Sequence, residues 1–272
     1  MGSSAVETLV LPDGRRLAYA TYGDEDGAPL VFHHGIPGTC FLGSLFENAA
    51  REQGSWVIAP TRPGYGESDP HDTTLETWAT DCEVLADHLS LDSFAVAGFS
   101  GGGPFALAVA EQSDRVSAVG LVGALVPEND GGLLETLSRV SPALEATLCV
   151  VRWVARVRGP EFVLGQFTGE TVDSSTASAV SQDFRRALAG RPTGAVRESR
   201  LFANEWSLPA PDVPVRAWHG VADENVRIDP VRAVAADRST VTLSEIDTDH
   251  LGALLTVREA LLDLAVTGVA NE

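Results

Sequence analysis

The chain has 272 residues, 44% of them hydrophobic, enough to bury a sizeable core without disulfides or metals. It carries 38 acidic residues against 19 basic ones, all arginine, for a formal charge of −19. Such a surface repels nucleic acid and anionic membranes, and the lack of lysine excludes any mechanism that needs a catalytic amine. Cys40, Cys82 and Cys149 suit free thiols in a reducing cytoplasm better than a disulfide framework. Met1 to Thr8 has neither a basic region nor an apolar stretch of a signal peptide. No apolar run approaches the roughly 20 residues of a membrane span, so a cytoplasmic protein is expected.

In chain order, Val6 to Leu11, the turn Pro12-Asp13-Gly14 and Arg16 to Tyr22 read as a hairpin. A short apolar run, Leu30 to Phe32, leads into the loop His33-His34-Gly35-Ile36-Pro37-Gly38. The spacing of Phe41, Leu42, Leu45, Phe46 and Ala49 predicts a helix. Trp56 to Ala59 is a further strand, followed by the glycine-rich loop Arg62-Pro63-Gly64-Tyr65-Gly66, and Thr74 is placed to cap a helix over Leu75 to Leu89. Then come a buried strand, Phe94 to Gly98, a glycine-rich turn, a helix from Pro104 to Gln112, and a strand from Val116 to Val122. Short apolar strands alternating with helices predict an α/β fold, a mostly parallel sheet with helices on both faces. The opening hairpin adds antiparallel strands at one edge.

The alternation stops near Pro127. Consecutive helices are predicted over Leu133 to Val140, Pro142 to Arg158, Thr176 to Leu188 and Thr193 to Trp206, before a stiff linker from Leu208 to Pro214. Strands return at Val215 to Trp218 and Val241 to Ile246, and a last helix covers Leu251 to Val266. The expected organisation is a core domain of 1–126 and 209–272, interrupted by a helical cap of 127–208 large enough to lie over a site.

Gly98-Phe99-Ser100-Gly101-Gly102 fits G-x-S-x-G between a strand and a helix, the context of an exposed nucleophile on a sharp turn. The amide of Gly101 would face a developing oxyanion at the positive end of the helix dipole. A phosphate-cradling turn is the competing reading, weakened by the missing lysine and the lack of G-x-G-x-x-G. Ser100 needs a base, and with chain order serine, acid, histidine only His250 follows a credible acid. Asp223, in the loop leaving the strand at Val215, is chosen as that acid, since a carboxylate on Nδ1 fixes the tautomer and stabilises imidazolium. Glu224, Asp247, Asp249 and Glu128 are the alternatives. The second oxyanion donor is assigned to the backbone of Ile36, in a glycine-rich loop that reads equally as a tight turn.

Taken together, His34-Gly35-Ile36-Pro37-Gly38, Arg62 to Ser68, Gly98 to Gly102, His219-Gly220-Val221-Ala222-Asp223 and the late His250 resemble the α/β-hydrolase superfamily along nearly the whole chain. Within it the chain is similar to the capped serine esterase (carboxylesterase-like) and peptidase-like branches. One departure is Thr61, where relatives often carry aspartate.

The resemblance implies acyl transfer to water, since a serine at the elbow argues against the dehalogenase and epoxide-hydrolase branches and the missing lysine against the hydroxynitrile lyases. No metal or organic cofactor is needed, and a small-molecule ester is the expected substrate. Neither nucleic acid nor membrane is expected as partner, and a homodimer stays open. Leu144, Leu148, Val151, Trp153, Phe162, Val163, Leu164 and Phe167 are candidates for an apolar acyl pocket, although each serves equally as core. Alternatives are an aminopeptidase similar to proline iminopeptidases, with Glu198 and Glu205 holding a substrate ammonium, a lactonase or carbon–carbon bond hydrolase, and a non-catalytic binding protein of the same fold. Cys40, just after the Ile36 loop, reads as a buried small hydrophobe.

Overall fold

The computed structural model describes residues 5–127 and 141–269. The predicted helix over Leu133 to Val140 and the alternative acid Glu128 lie outside the described residues. Eight strands form one sheet: β1 (Glu7–Val10), β2 (Arg16–Gly23), β3 (Ala28–His33), β4 (Ser55–Pro60), β5 (Phe94–Phe99), β6 (Val116–Val122), β7 (Val215–Gly220) and β8 (Val241–Ile246), in the order β1-β2-β4-β3-β5-β6-β7-β8. The hairpin strands pair antiparallel, β1 with β2 and β2 with β4, and every other pairing is parallel.

The strand sequences alternate between two buried faces, as period-2 packing requires. On β5, Phe94 and Val96 point to one core while Ala95, Ala97 and Phe99 point to the other. The first core is closed by α2 (Leu75–His88), α3 (Gly103–Gln112) and α8 (Ile228–Asp237), the second by α1 (Glu47–Gln53) and α9 (His250–Val269). Thr74 caps α2 through a reciprocal box with Thr77, a contact worth about 1 kcal/mol. Phe41 to Phe46, expected to open a helix, instead lies in a 3₁₀ segment, Cys40–Phe46, that becomes helical only at Glu47. The helix α8 carries only Val231 as a fully buried residue, too little apolar pattern to be foreseen.

Between β6 and β7 the chain inserts α4 (Ser141–Arg158), α5 (Pro160–Leu164), α6 (Ser174–Ala187) and α7 (Thr193–Ala203). The last stops short of Trp206, because Asn204 is extended (φ −96°, ψ 172°) and the Phe202 and Trp206 rings pack on each other, 4.9 Å between centroids. Among the described residues no helix is long and apolar enough to cross a membrane.

Strand order reverses between β3 and β5: from β3 the chain moves outward through β4 on one side, and from β5 through β6, β7 and β8 on the other. Loops that part at such a point leave a crevice at the carboxyl ends of the strands, the usual place for a ligand in an open α/β sheet.

Candidate active site

Ser100 occupies that crevice. It follows β5 directly and adopts φ +55°, in the left-handed region that costs an L-residue about 1–2 kcal/mol. The turn is possible because of its glycines: a Cβ on Gly98 would stand 2.6 Å from the Gly102 carbonyl oxygen, and one on Gly102 2.3 Å from that of His33. Strand and helix therefore approach as closely as the G-x-S-x-G spacing implied.

His250 begins α9, and its ring lies 4.6 Å from that of Phe99, the residue before Ser100. Its Nδ1–H donates to Asp223 Oδ2 at 2.6 Å. Asp223 is itself fixed, Oδ1 accepting from the amides of Asn225 (2.8 Å) and Val226 (2.9 Å). His219 stands 3.4 Å from the same carboxylate, but burial lowers its pKa and its Nε2–H donates to the Val226 carbonyl. Glu224 and Asp247 are exposed. Asp249 turns the other way, accepting from Thr168 Oγ1 (2.7 Å) and the amides of Gly169 (2.8 Å) and Gly252 (3.0 Å). No motif pointed to Gly123, at the end of β6 with φ +51°, where a Cβ would come within 2.9 Å of His250 Nδ1 and 3.1 Å of Asp223 Oδ2.

Ile36 packs on Gly101, where a Cβ would meet the isoleucine side chain at 2.4 Å, so the two segments meet. Among the described residues neither the Ile36 nor the Gly101 amide donates to a protein group. The peptide that carries the Ile36 amide is held from its carbonyl side, with Gly35 O accepting from Arg62 Nη2 (2.9 Å) and His34 Nδ1–H (2.8 Å). The next carbonyl back, His34 O, accepts from Arg62 Nη1 (2.6 Å), and His34 Nε2 accepts from the Arg62 amide (3.1 Å). Burial, with Arg62 beside it, holds the His34 pKa far down, so the ring is neutral as these bonds require.

Arg62 is wholly buried and is paired with Glu198 of α7, Nε to Oε1 at 2.7 Å and Nη2 to Oε2 at 2.9 Å. Arg197 and Tyr65 complete the carboxylate's bonds. Glu198, a candidate for holding a substrate ammonium, is thus fully engaged by this chain's own cations, and Glu205 lies exposed beyond the end of α7. Thr61, where aspartate was expected, puts its hydroxyl on the Cys40 amide at 2.8 Å. Cys40 is buried, which pushes its thiol up to about 12.

A cavity of about 20 Å³ opens on Ser100, lined among others by Ile36, Phe99, Phe167, Asp183, Phe184 and Leu251. Of the predicted pocket residues only Phe167 is there. Leu144 and Leu148 are buried in the core of the inserted helices and Phe162 packs against it, because helical periodicity reports which face is buried and not what covers it. Trp153, on the opposite side of α4, is 64% exposed. The segment that carries Phe167 is pinned over the loops of Asp223 and His250: Leu251 N donates to Phe167 O (3.1 Å), Asn225 Nδ2 to Gln166 O (2.9 Å) and Thr248 Oγ1 to Glu170 (2.6 Å). Among the described residues no group of His, Cys, Asp and Glu side chains is arranged to hold a metal ion.

A sequence profile of the family described as alpha/beta hydrolase fold matches residues 28–157. A non-heme chloroperoxidase of Streptomyces lividans is 34% identical over 153 residues, 51% of this chain and 54% of that protein. The chain spans about half the length of the curated relatives it matches. Among solved structures, a hydrolase from Pseudomonas aeruginosa superposes with TM-score 0.75 at 16% identity, over 98% of this chain and 99% of that one. An esterase from Exiguobacterium antarcticum gives 0.74 at 21% identity, over 98% and 100%. The profile match, these whole-length superpositions and the eight-stranded sheet agree: the chain has the α/β-hydrolase fold.

Proposed function

We propose that this protein is a serine hydrolase that cleaves a small carboxylic ester through an acyl-enzyme, with Ser100, His250 and Asp223 as its triad. The observation that carries the reading is the 2.6 Å bond from His250 to a buried Asp223, beside a serine held at φ +55° on a strand-to-helix turn. With Nδ1–H committed to Asp223, Nε2 is the unprotonated nitrogen, free to take the Ser100 proton as the hydroxyl attacks the carbonyl. The charge that develops on the carbonyl oxygen is met by the Ile36 and Gly101 amides, each such donor being worth about 10²–10³ in rate. His250 then returns the proton to the departing alcohol, and water repeats the attack on the acyl-serine with the same base.

The inserted helices act as a cap in this reading, with 127–208 folded over a core of 1–126 and 209–272. A cavity of about 20 Å³ is close to what one water needs, so an ester enters only when the segment that carries Phe167 moves away from Ser100. An aminopeptidase is disfavoured, since Glu198 has no free oxygen for an ammonium.

The test is hydrolysis of p-nitrophenyl acetate and butyrate by the purified protein beside its Ser100→Ala variant. Turnover that vanishes in the variant supports the reading, as does labelling of Ser100 by a fluorophosphonate. Equal turnover in both proteins, or an unlabelled Ser100, would sink it.

A further inference from the structure

The triad and the oxyanion donors leave one ionisable group of the cavity without a role. Asp183, on α6, is 4% exposed and lines the same small cavity as Ser100 and Ile36. Its Oδ1 accepts from Thr39 twice, from the amide at 2.8 Å and the hydroxyl at 2.6 Å. Both of these fall on one oxygen, and the Leu42 amide also approaches the carboxyl. The neighbours around the cavity are carbon: Leu42, Phe99, Phe167, Val180, Phe184 and Leu251. Burial against them pushes the carboxyl up to about 7 in spite of the Thr39 bonds and the nearby Leu42 amide and Arg62.

A carboxyl in such a lining is costly unless something hydrogen-bonds it. The tie to Thr39 accounts for Oδ1 and could be made as well by an amide side chain, which carries no charge to bury. What an amide cannot supply is a second acceptor oxygen, since its other terminal atom is an NH2 donor. We propose that Asp183 is a specificity-determining residue, its Oδ2 accepting a hydrogen bond from a hydroxyl that the substrate carries close to its ester carbonyl. The preferred substrates are then hydroxylated esters, such as those of hydroxy acids, over their plain counterparts. An ammonium is the lesser fit: it would bring a second charge among these apolar side chains with one carboxyl oxygen to meet it. The proposal rests on the hydrolase reading for where the ester lies, since it places the carbonyl between Ser100 and the Ile36 amide, beside Asp183.

The experiment compares p-nitrophenyl butyrate with its 3-hydroxy and 3-amino analogues, in the wild type, Asp183→Asn and Asp183→Ala, by ratios of kcat/KM above the range where Asp183 titrates. Asp183→Asn keeps an oxygen for Thr39, and thermal melting reports whether each variant folds. A site that hydrogen-bonds a substrate hydroxyl discriminates strongly against the analogue lacking it, so the wild type is expected to favour the hydroxy ester by about tenfold or more. Asp183→Ala should bring that ratio near one. Equal rates on hydroxy and plain esters in the wild type, an unchanged ratio in Asp183→Ala, or a preference for the amino analogue would overturn the proposal. Binding of ethyl 3-hydroxybutyrate and ethyl butyrate to Ser100→Ala, by calorimetry, separates this failure from that of the hydrolase reading. Tighter binding of the hydroxy ester, abolished by adding Asp183→Ala, upholds the role of Asp183 even if the wild type turns over nothing. Turnover with equal binding upholds the hydrolase alone.

Discussion

The two walls of the cleft are joined to the inserted helices by different chemistry. On the oxyanion side the ties are buried and ionisable: Arg62 to Glu198 of α7, with neither side chain exposed, and Thr39 to Asp183 of α6. On the side of Asp223 and His250 they are shorter-range and neutral or partly exposed, running from Asn225, Thr248, Asp249 and Leu251 to the segment Gln166–Glu170. A buried charge held by its partner leaves little freedom, because separating the two strands each in a low-dielectric interior. Bonds at a rim can be exchanged for water at small cost. In the proposed mechanism this is a sensible division: the wall that must present two amides to an oxyanion is locked, while the wall that admits the substrate can open.

The largest effect is expected within the proposed triad. Asp223→Asn keeps the size of the side chain and an oxygen for the Asn225 and Val226 amides, but turns an NH2 donor toward His250, which forces the wrong imidazole tautomer and no longer compensates imidazolium. The loss in kcat should be about 10⁴-fold, as for the equivalent change in a serine protease, with little change in melting temperature. A drop below tenfold would mean that the 2.6 Å bond is structural and that another acid serves His250.

Next comes the locked wall. Glu198→Ala leaves Arg62 buried without its counterion, and breaking such a pair costs about 3–5 kcal/mol. Denaturant unfolding should show that loss, and a double replacement of Arg62 and Glu198 by methionine and leucine should recover part of it. Activity is the sharper readout. Without Arg62 the Gly35 carbonyl loses one of its two donors, so the double variant should stay slow even where it is stable. Recovery of both stability and rate would show that the pair only packs.

How much of this was legible in the sequence depends on the distance between partners. The elbow was readable because Gly98, Ser100 and Gly102 make their close approach within five residues, and His250 because chain order leaves it alone after Asp223. Thr74 is a local cap and was read as one. Glu198, by contrast, stands in the sequence only as an alternative ammonium holder, because its partner Arg62 lies 136 positions away. Asp183 and Thr39 are 144 apart, and Thr168 and Asp249 are 81 apart. A single sequence contains no signal that pairs them. Leu144 and Leu148 went astray for a related reason: their helix has an apolar face, and only the fold decides that the face meets other helices rather than Ser100.

A third and smaller effect tests the cost of the locked wall. Unfolded, the Asp183 carboxyl ionises near its ordinary 3.8; folded, burial first, opposed by the Thr39 bonds, pushes it up to about 7. The folded chain therefore keeps a proton that the unfolded chain releases. Its contribution is most favourable below the ordinary value and is lost as pH rises through the folded one, at up to about 1.4 kcal/mol per pH unit. Asp183→Asn removes this slope. Denaturant unfolding from about pH 4 to pH 8 should show the variant gaining on the wild type by on the order of a few kcal/mol. Parallel curves would mean that the carboxyl ionises freely in the fold.

The smallest effect belongs to the open wall. Thr168→Val removes one donor to Asp249 at nearly constant volume, while the Gly169 and Gly252 amides and water continue to serve the carboxylate. The expected cost is about 1 kcal/mol or less in unfolding. Burial raises the Asp249 pKa, but these hydrogen bonds outweigh it and hold it below its ordinary value. Losing the Thr168 bond should move it back up, which carboxyl NMR titration would read. The stability that a lowered carboxyl supplies is present above its ordinary pKa and lost as pH falls, so the variant should lose less on acidification. Because Phe167 is the residue before Thr168 and lines the Ser100 cavity, loosening this tie should alter KM by a few-fold and leave kcat nearly unchanged. A fall in kcat comparable to that of the Arg62 and Glu198 replacements would erase the distinction between the two walls, since it would mean that the rim bonds too hold the reacting groups in place.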